Sequence, residues 1–256
     1  MRIRDRLSFY QYVLTKNMAE QAQFDYKNFK TARDILCAYA GDIAGKTILD
    51  VGCGRLYPQT LLFHMVGAKV TGIDHAYIGV NDPVHLRYWR SLTQGGLDGF
   101  GRDILYALLG KNKAYYRRLG SLIGFELSSQ GLDIVQMAVE NMSFPHNAFD
   151  ITVSNDAFEH IADVPKAISQ VYRVLKREAI IYIRIHLFTS LSGGHHPDCM
   201  NTGKIPPWNH LRSGGHAVPV YLNKLREHEY ISLFREKFKL LEVIDGRYLG
   251  KDLLTP

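Results

Sequence analysis

Three short stretches hold residue types that could act on one ligand. ILDVGCG at 48–54 places Asp50 just ahead of Gly52 and Gly54. KVTGID at 69–74 ends in Asp74, and FDITVSNDAFEHI at 149–161 carries Asn155, Asp156 and His160 beyond an apolar run. Glycine, lacking a Cβ, lets the backbone turn sharply and lets a ligand approach it closely. An acid ending the next strand can accept from both ribose hydroxyls, one on each carboxylate oxygen. A nucleoside lying across the ends of parallel strands would use all three stretches. A dinucleotide is disfavoured, because G-x-G-x-x-G needs a glycine where Tyr57 stands and Asp50 would repel a pyrophosphate. The same carboxylate suits a ligand carrying an ammonium and a sulfonium.

The elements that must position these groups follow from local pattern. Thr47 to Val51 is a short apolar run with β-branched members, bounded by Gly45 and Gly52, and reads as a central strand. Pro58 suits the first turn of a helix over 58–67, where its missing N–H would be unpaired anyway. Further strands are expected at 69–73, 132–137, 149–154, 178–185 and 238–244. A seventh, after Asp245, is expected to be incomplete, because GRYLGKDLLTP is short and interrupted. LSFYQYVL and FKTARDILCAYAG give apolar positions at helical spacing, so residues 1–44 read as a two-helix leader. Its Tyr10, Tyr12 and Phe24 either cover a ligand or pack on the sheet.

At these motifs the chain resembles the class I S-adenosylmethionine-dependent methyltransferases, in particular the small-molecule branch known as type 11. DVGCG matches the glycine motif and GID the acidic second motif. AVENMSFPHNAFDITVSNDAFEHIADVPKAISQVYRVLK matches the long central signature. The resemblance implies an α/β, Rossmann-like, doubly wound sheet of six to seven mostly parallel strands with helices on both faces. It implies S-adenosylmethionine as cofactor, with Asp50, Gly52, Cys53 and Gly54 around the methionine moiety. Asp74 and His75 would lie at the ribose, Val139 and Glu140 beside the adenine, and Asn155 and Asp156 beneath the sulfonium. The chain departs from the family pattern at three places. Leu56 stands where a third glycine is usual, Ala138 replaces the adenine-contacting acid, and Arg177-Glu178-Ala179 replaces a Pro-Gly-Gly loop.

A single domain over 1–256 is expected, with two long additions besides the leader. The insert at 75–131 has glycine breaks at 95–96 and 99–101. Beyond them, Leu105, Leu108, Leu109, Tyr115, Leu119, Leu122 and Ile123 form an apolar stripe at helical spacing. Arg117 and Arg118 beside it could meet an anionic acceptor, lie on a solvated face, or touch a membrane surface. The loop at 186–217 holds His186, His195, His196, His210, His216 and Trp208. Connections this long inside a compact domain are usually functional. The two additions are expected to close over the transferred methyl, leaving a pocket lined by His160, His195, Trp208 and residues near Tyr115. No resident metal is expected, since the spacing of His195, His196, Cys199 and His210 fits no closed zinc site.

Composition bounds the rest. A chain of 256 residues, 46% hydrophobic, can bury a full α/β core. No apolar run nears the roughly 20 residues that span a bilayer. Three scattered cysteines suit a reducing compartment, and a cytoplasmic location is expected. A net charge of +6 permits an acidic or sugar-like acceptor. It is only mildly basic, and Asn155-Asp156-Ala157-Phe158 stands where the related amino-DNA enzymes carry a Pro-Pro-Tyr-type turn, so nucleic acid is not the expected partner; a homodimer is also compatible. Methyl transfer is an in-line displacement, and an oxygen acceptor must also lose a proton. His160 is the first candidate base, with Asp156 and His195 beside it as catalytic candidates. The leading expectation is transfer to the oxygen of a small molecule, a sugar, nucleotide sugar or aromatic hydroxyl. The alternatives are a macromolecular methyltransferase acting on RNA or protein, and a cofactor-binding protein without catalysis.

Overall fold

The computed structural model describes residues 3–76, 83–196, 199, 205–215 and 220–244. Five strands form one sheet: β1 (Thr47–Val51), β2 (Lys69–Asp74), β3 (Asp133–Gln136), β4 (Phe149–Asn155) and β5 (Leu175–Arg184). Their spatial order is β3-β2-β1-β4-β5, with every pair parallel. In a parallel sheet all strands point one way, so Asp50, Asp74, Asn155 and Arg184 reach a single rim.

Alternation along the strands divides the core. Ile48, Ile151 and Val153 face a cluster with Phe29 and Leu36 of α2 (Met18–Ala40) and Leu61, Leu62 and Phe63 of α3 (Pro58–Met65). Leu49, Val51 and Ile73 face a second cluster. There they meet Val164, Ile168 and Val171 of α6 (Val164–Val174) and Tyr230 and Phe234 of α7 (Glu227–Arg235). This is the α/β, Rossmann-like arrangement with helices on both faces. The period in α6 explains its place: Val164, Ala167, Ile168, Val171 and Val174 make one buried stripe. Asp163 caps its start by accepting from the Lys166 N–H at 3.0 Å.

The strand count differs from the six to seven expected. Residues 238–244 form no strand; Phe238 packs on the second cluster, while Leu241, Val243 and Ile244 are about half exposed. A strand needs a neighbour's backbone to pair with, and β5 carries no strand on its outer edge among the described residues. The stretch expected to hold an incomplete seventh strand, 245–256, lies outside the described residues.

The leader and insert are helical as expected, and they pack on each other. α1 (Ile3–Thr15) and α2 meet α4 (Val84–Leu108) and α5 (Lys111–Ile123). Tyr115 Oη donates to Asp25 at 2.6 Å, and Lys111 caps α1 by donating to the carbonyls of Leu14 and Lys16. Helix α4 is broken at Gly96, where the sequence shows its first glycine pair. The apolar stripe is only partly buried. Tyr115 and Leu119 are fully enclosed, whereas Leu108 is 78% exposed. Tyr115 therefore belongs to the core. Arg117 is exposed on α5.

Where the family has Pro-Gly-Gly, α6 runs directly into β5, with Glu178 in the left-handed region at φ 66°. No described helix is long and apolar enough to cross a membrane.

Candidate active site

Three glycines, two of them at close approaches, shape the turn and the strand beside it. Gly52 has φ 73°, and a Cβ there would collide with Ala157 at the start of the turn after β4. A Cβ on Gly72 would meet Thr60 Oγ1 at 2.6 Å, so Gly72 lets α3 approach β2. Gly54 has φ 67° and open space over its Cβ position, which leaves its backbone accessible from the rim. Tyr57, left-handed at φ 35°, opens α3, and Pro58 takes the first turn as expected. Leu56, at the family's third glycine, turns its side chain onto the first core cluster. Its carbonyl accepts from Tyr116 Oη of the insert at 3.3 Å.

The two acids differ in role. Asp50 is 1% exposed and accepts from Thr60 Oγ1 at 2.6 Å, so its carboxyl lies beneath the turn. Burial, opposed by Thr60 and reinforced by Asp74, pushes its carboxyl up to about 7. Asp74 lies on the rim. Its Oδ2 accepts from the Gly54 N–H at 3.0 Å and its Oδ1 from the Ala76 N–H at 2.8 Å. Each oxygen keeps acceptor capacity for a ribose hydroxyl. His75 Nδ1 is 3.4 Å from Asp74, with the His75 side chain 83% exposed. Cys53 is buried, and its thiol is pushed far up by burial and by Asp50 and Asp74, so it is a packing residue. Val139 is buried in the second core cluster, and Glu140 beside it is half-buried on the same 3₁₀ turn. Ala138 opens that turn with no side-chain cap.

A second polar group forms at the ends of β4 and β5. Asp156, at φ 51°, pairs through Oδ2 with Arg184 Nη1 at 3.0 Å. Burial raises the Asp156 carboxyl despite Arg184, His186 and His160 nearby. Arg184 also lies 5.2 Å from the ring centre of Phe24, so the leader reaches this end of the sheet. Asn155 leaves both amide atoms buried without a protein partner, and so does Asp156 Oδ1. Buried polar atoms are normally paired, so these three atoms at one strand end have capacity for a ligand or a water.

The 3₁₀ turn Phe158–His160 is held rigidly from the far side. Asn223 Nδ2 donates to the carbonyls of Phe158 and Ile161 at 2.7 and 3.1 Å, and Tyr230 Oη donates to Asn223 Oδ1 at 2.8 Å. His160 Nδ1 lies 2.9 Å from the Tyr221 carbonyl. His195, at φ 55°, comes back from the long loop, its ring 5.0 Å from that of His160 and stacked 4.4 Å from that of His186. Burial, then His186, His160 and His210, lowers His195 to about 4. The structure therefore joins Asp156, His160 and His195, which the motifs single out. It adds His186, picked out in the sequence only as one histidine of the long loop, and Glu159 and Asn223, which the motifs do not single out. Glu159 is 2% exposed, and burial followed by Asp156 raises it to about 8. The backbone N–H groups of Glu159 and His186 favour its charged form but make no bond of normal geometry. Trp208 Nε1 donates to the Thr189 carbonyl and His210 Nε2 to that of Phe188, tying the loop to itself. His216 lies outside the described residues.

Residues 87–183 match the methyltransferase domain family. No curated protein matches significantly. Among solved structures, the YcgJ protein of Bacillus subtilis aligns at 19% identity and a TM-score of 0.37, covering 62% of this chain and 51% of that one. The [4+2]-cyclase SpnF aligns at 16% identity and 0.44, covering 81% and 55%. An S-adenosylmethionine-dependent methyltransferase from Mesorhizobium loti aligns at 14% identity and 0.46, covering 80% and 78%. The chain thus spans about half the length of the first two. The family match covers β3, β4 and most of β5, and the parallel sheet carries the open glycine turn, Asp74 and the orphaned Asn155 to the same rim. Over residues 87–183 the chain is thus similar to the methyltransferase domain family, and the rim presents groups that fit S-adenosylmethionine as the cofactor.

Proposed function

We propose that the protein transfers the methyl group of S-adenosylmethionine to a hydroxyl of a small molecule, sugar-like or acidic. The carrying observation is the convergence of Asp156, His160 and His195 beside the orphaned Asn155, at the rim where the methyl would lie.

The glycine turn and Asp74 would hold the methionine and ribose parts, and Val139 and Glu140 would border the adenine. S-adenosylmethionine, when bound, supplies an electrophilic methyl on a positive sulfur. Asn155 and Asp156 would face that positive charge. Asp156, His160 and His195 would orient the acceptor hydroxyl, and one of them would take its proton as the oxygen–carbon bond forms. The pair of the breaking carbon–sulfur bond stays on sulfur, so charge and atoms balance. Alignment and exclusion of water supply much of the acceleration in such a displacement. Three unpaired cysteines support the cytoplasm as the setting.

The test is incubation with methyl-labelled cofactor and cell extract, sorting labelled products by size, with Asp156→Asn and His160→Ala as controls. Label is expected in small hydroxylated compounds and is expected to fall at least tenfold in both variants. Label confined to RNA or protein, or no transfer at all, refutes the proposal.

A further inference from the structure

Glu159, His160 and His195 each offer one metal-ligating atom, and these atoms lie within 4.8 Å of one another. Their surroundings are those of ligands. Both Glu159 oxygens lack a hydrogen-bond partner although the residue is 2% exposed. A buried carboxylate requires a cation or a set of donors; the charge of Arg184 favours the Glu159 carboxylate, but Arg184 makes its ion pair with Asp156. His195 Nε2 is likewise buried without a partner.

His160 adds a third sign. Its Nδ1 contact with the Tyr221 carbonyl is a hydrogen bond only if that nitrogen carries the proton. Nε2 then keeps its lone pair. Metal-binding imidazoles are held in this way, the far nitrogen donating to a carbonyl or carboxylate. The support extends outward, since Asn223 fixes the turn that carries Glu159 and His160. His186 stacks on His195 and is itself bonded to Ser192 Oγ at 3.0 Å.

We propose that Glu159, His160 and His195 bind a divalent transition-metal ion, with zinc the best match to two imidazoles and one carboxylate. Such three-ligand sites leave a fourth position open. A tetrahedral ion with bonds of about 2.0–2.2 Å sets its ligand atoms about 3.3 Å apart, so the three atoms would draw in by up to about 1.5 Å around it. The neighbouring His210 and Cys199 are turned elsewhere, His210 Nε2 to the Phe188 carbonyl and Cys199 Sγ toward the carbonyls of Leu191 and Pro206.

The ion's role, though not its binding, rests on the methyl-transfer proposal. A hydroxyl of the acceptor in the open position would become more acidic on coordination. Its proton would pass to Asp156 Oδ1, the carboxylate oxygen left without a partner. His160 and His195 then serve as ligands, and the imidazoles take no proton.

The experiment uses the tag-free, metal-stripped full chain, dialysed against zinc chloride, with cobalt(II) as a spectroscopic probe. One equivalent of zinc is expected to bind, and cobalt is expected to show the intense visible bands of a four-coordinate site. Glu159→Gln and His195→Ala should each weaken zinc at least tenfold while leaving S-adenosylhomocysteine affinity within twofold. Cys199→Ser should bind zinc as wild type does. Absence of stoichiometric zinc, unchanged zinc affinity in both ligand variants, or its loss in Cys199→Ser overturns the site. If a ligand variant also loses S-adenosylhomocysteine, the cobalt spectrum of the wild type decides. Zinc bound without methyl transfer would sink the functional proposal alone. Full transfer by the metal-free protein would sink the metal's role alone.

Discussion

Asp50 offers a direct test of the glycine-turn electrostatics. Its carboxyl is fully buried, touches Thr60 Oγ1, and is raised from 3.8 to about 7 chiefly by burial. In the unfolded chain it would ionise near 3.8. A carboxyl raised on folding contributes stability that is fully present below the unfolded value and is lost as pH rises to the folded one. The window is thus pH 3.8 to about 7. At about 1.4 kcal/mol per pH unit, the loss has an upper bound of about 4 kcal/mol. Asp50→Asn mimics the neutral acid, keeps an oxygen to accept from Thr60 and does not titrate. Urea unfolding of both proteins should show the variant gaining on wild type by about 1–1.4 kcal/mol per unit from pH 4 to 7, then no further. Cofactor binding should move the opposite way. An ammonium-bearing ligand over the turn favours the ionised carboxylate, so wild-type affinity for S-adenosylhomocysteine should fall up to tenfold per unit below pH 7. The variant should bind weakly at all pH values. A stability gap that is the same at pH 5 and pH 8 would refute the reasoning, because no proton would then be linked to folding at Asp50.

Two further outcomes are expected. If Asp74 holds the ribose as proposed, Asp74→Ala loses two charge-assisted bonds, about 2–4 kcal/mol, and S-adenosylmethionine affinity should fall roughly 30-fold or more by calorimetry; unchanged affinity would remove Asp74 from the site. Asp74→Asn keeps one carboxamide oxygen for the Gly54 or Ala76 N–H and separates the loss of ribose contacts from loosening of the turn. Glu178→Gly should stabilise the protein by about 0.5–1 kcal/mol, because the exposed Glu178 holds φ 66° where glycine costs least; a lower melting temperature in the variant would show that the Glu178 side chain has a role beyond the turn.

Much of the sheet follows from the chain itself. Ile48, Leu49 and Val51 make a buried strand wherever a sheet forms, Gly52 and Gly54 admit the positive φ of the turn, and Pro58 starts a helix. Those are near-neighbour effects, so the strand ends bearing Asp50, Asp74 and Asn155 were legible, and parallel order then put them on one rim. That 238–244 forms no strand was not legible, because a run such as FKLLEVI becomes a strand only where another backbone is there to pair with it. Burial was equally hidden: Tyr115 and Leu108 look alike along the insert, yet one is enclosed against α2 and the other lies in water. The polar cluster is the clearest case. Glu159 and His160 are adjacent in the chain, but His186 and His195 arrive by a long loop, and Tyr221 and Asn223 by another segment. No spacing rule relates those positions, since loop closure and side-chain packing set their distances. Residue types and local periodicity decided the sheet and the cofactor rim; tertiary packing alone decided which acid and which histidines face one another beside it.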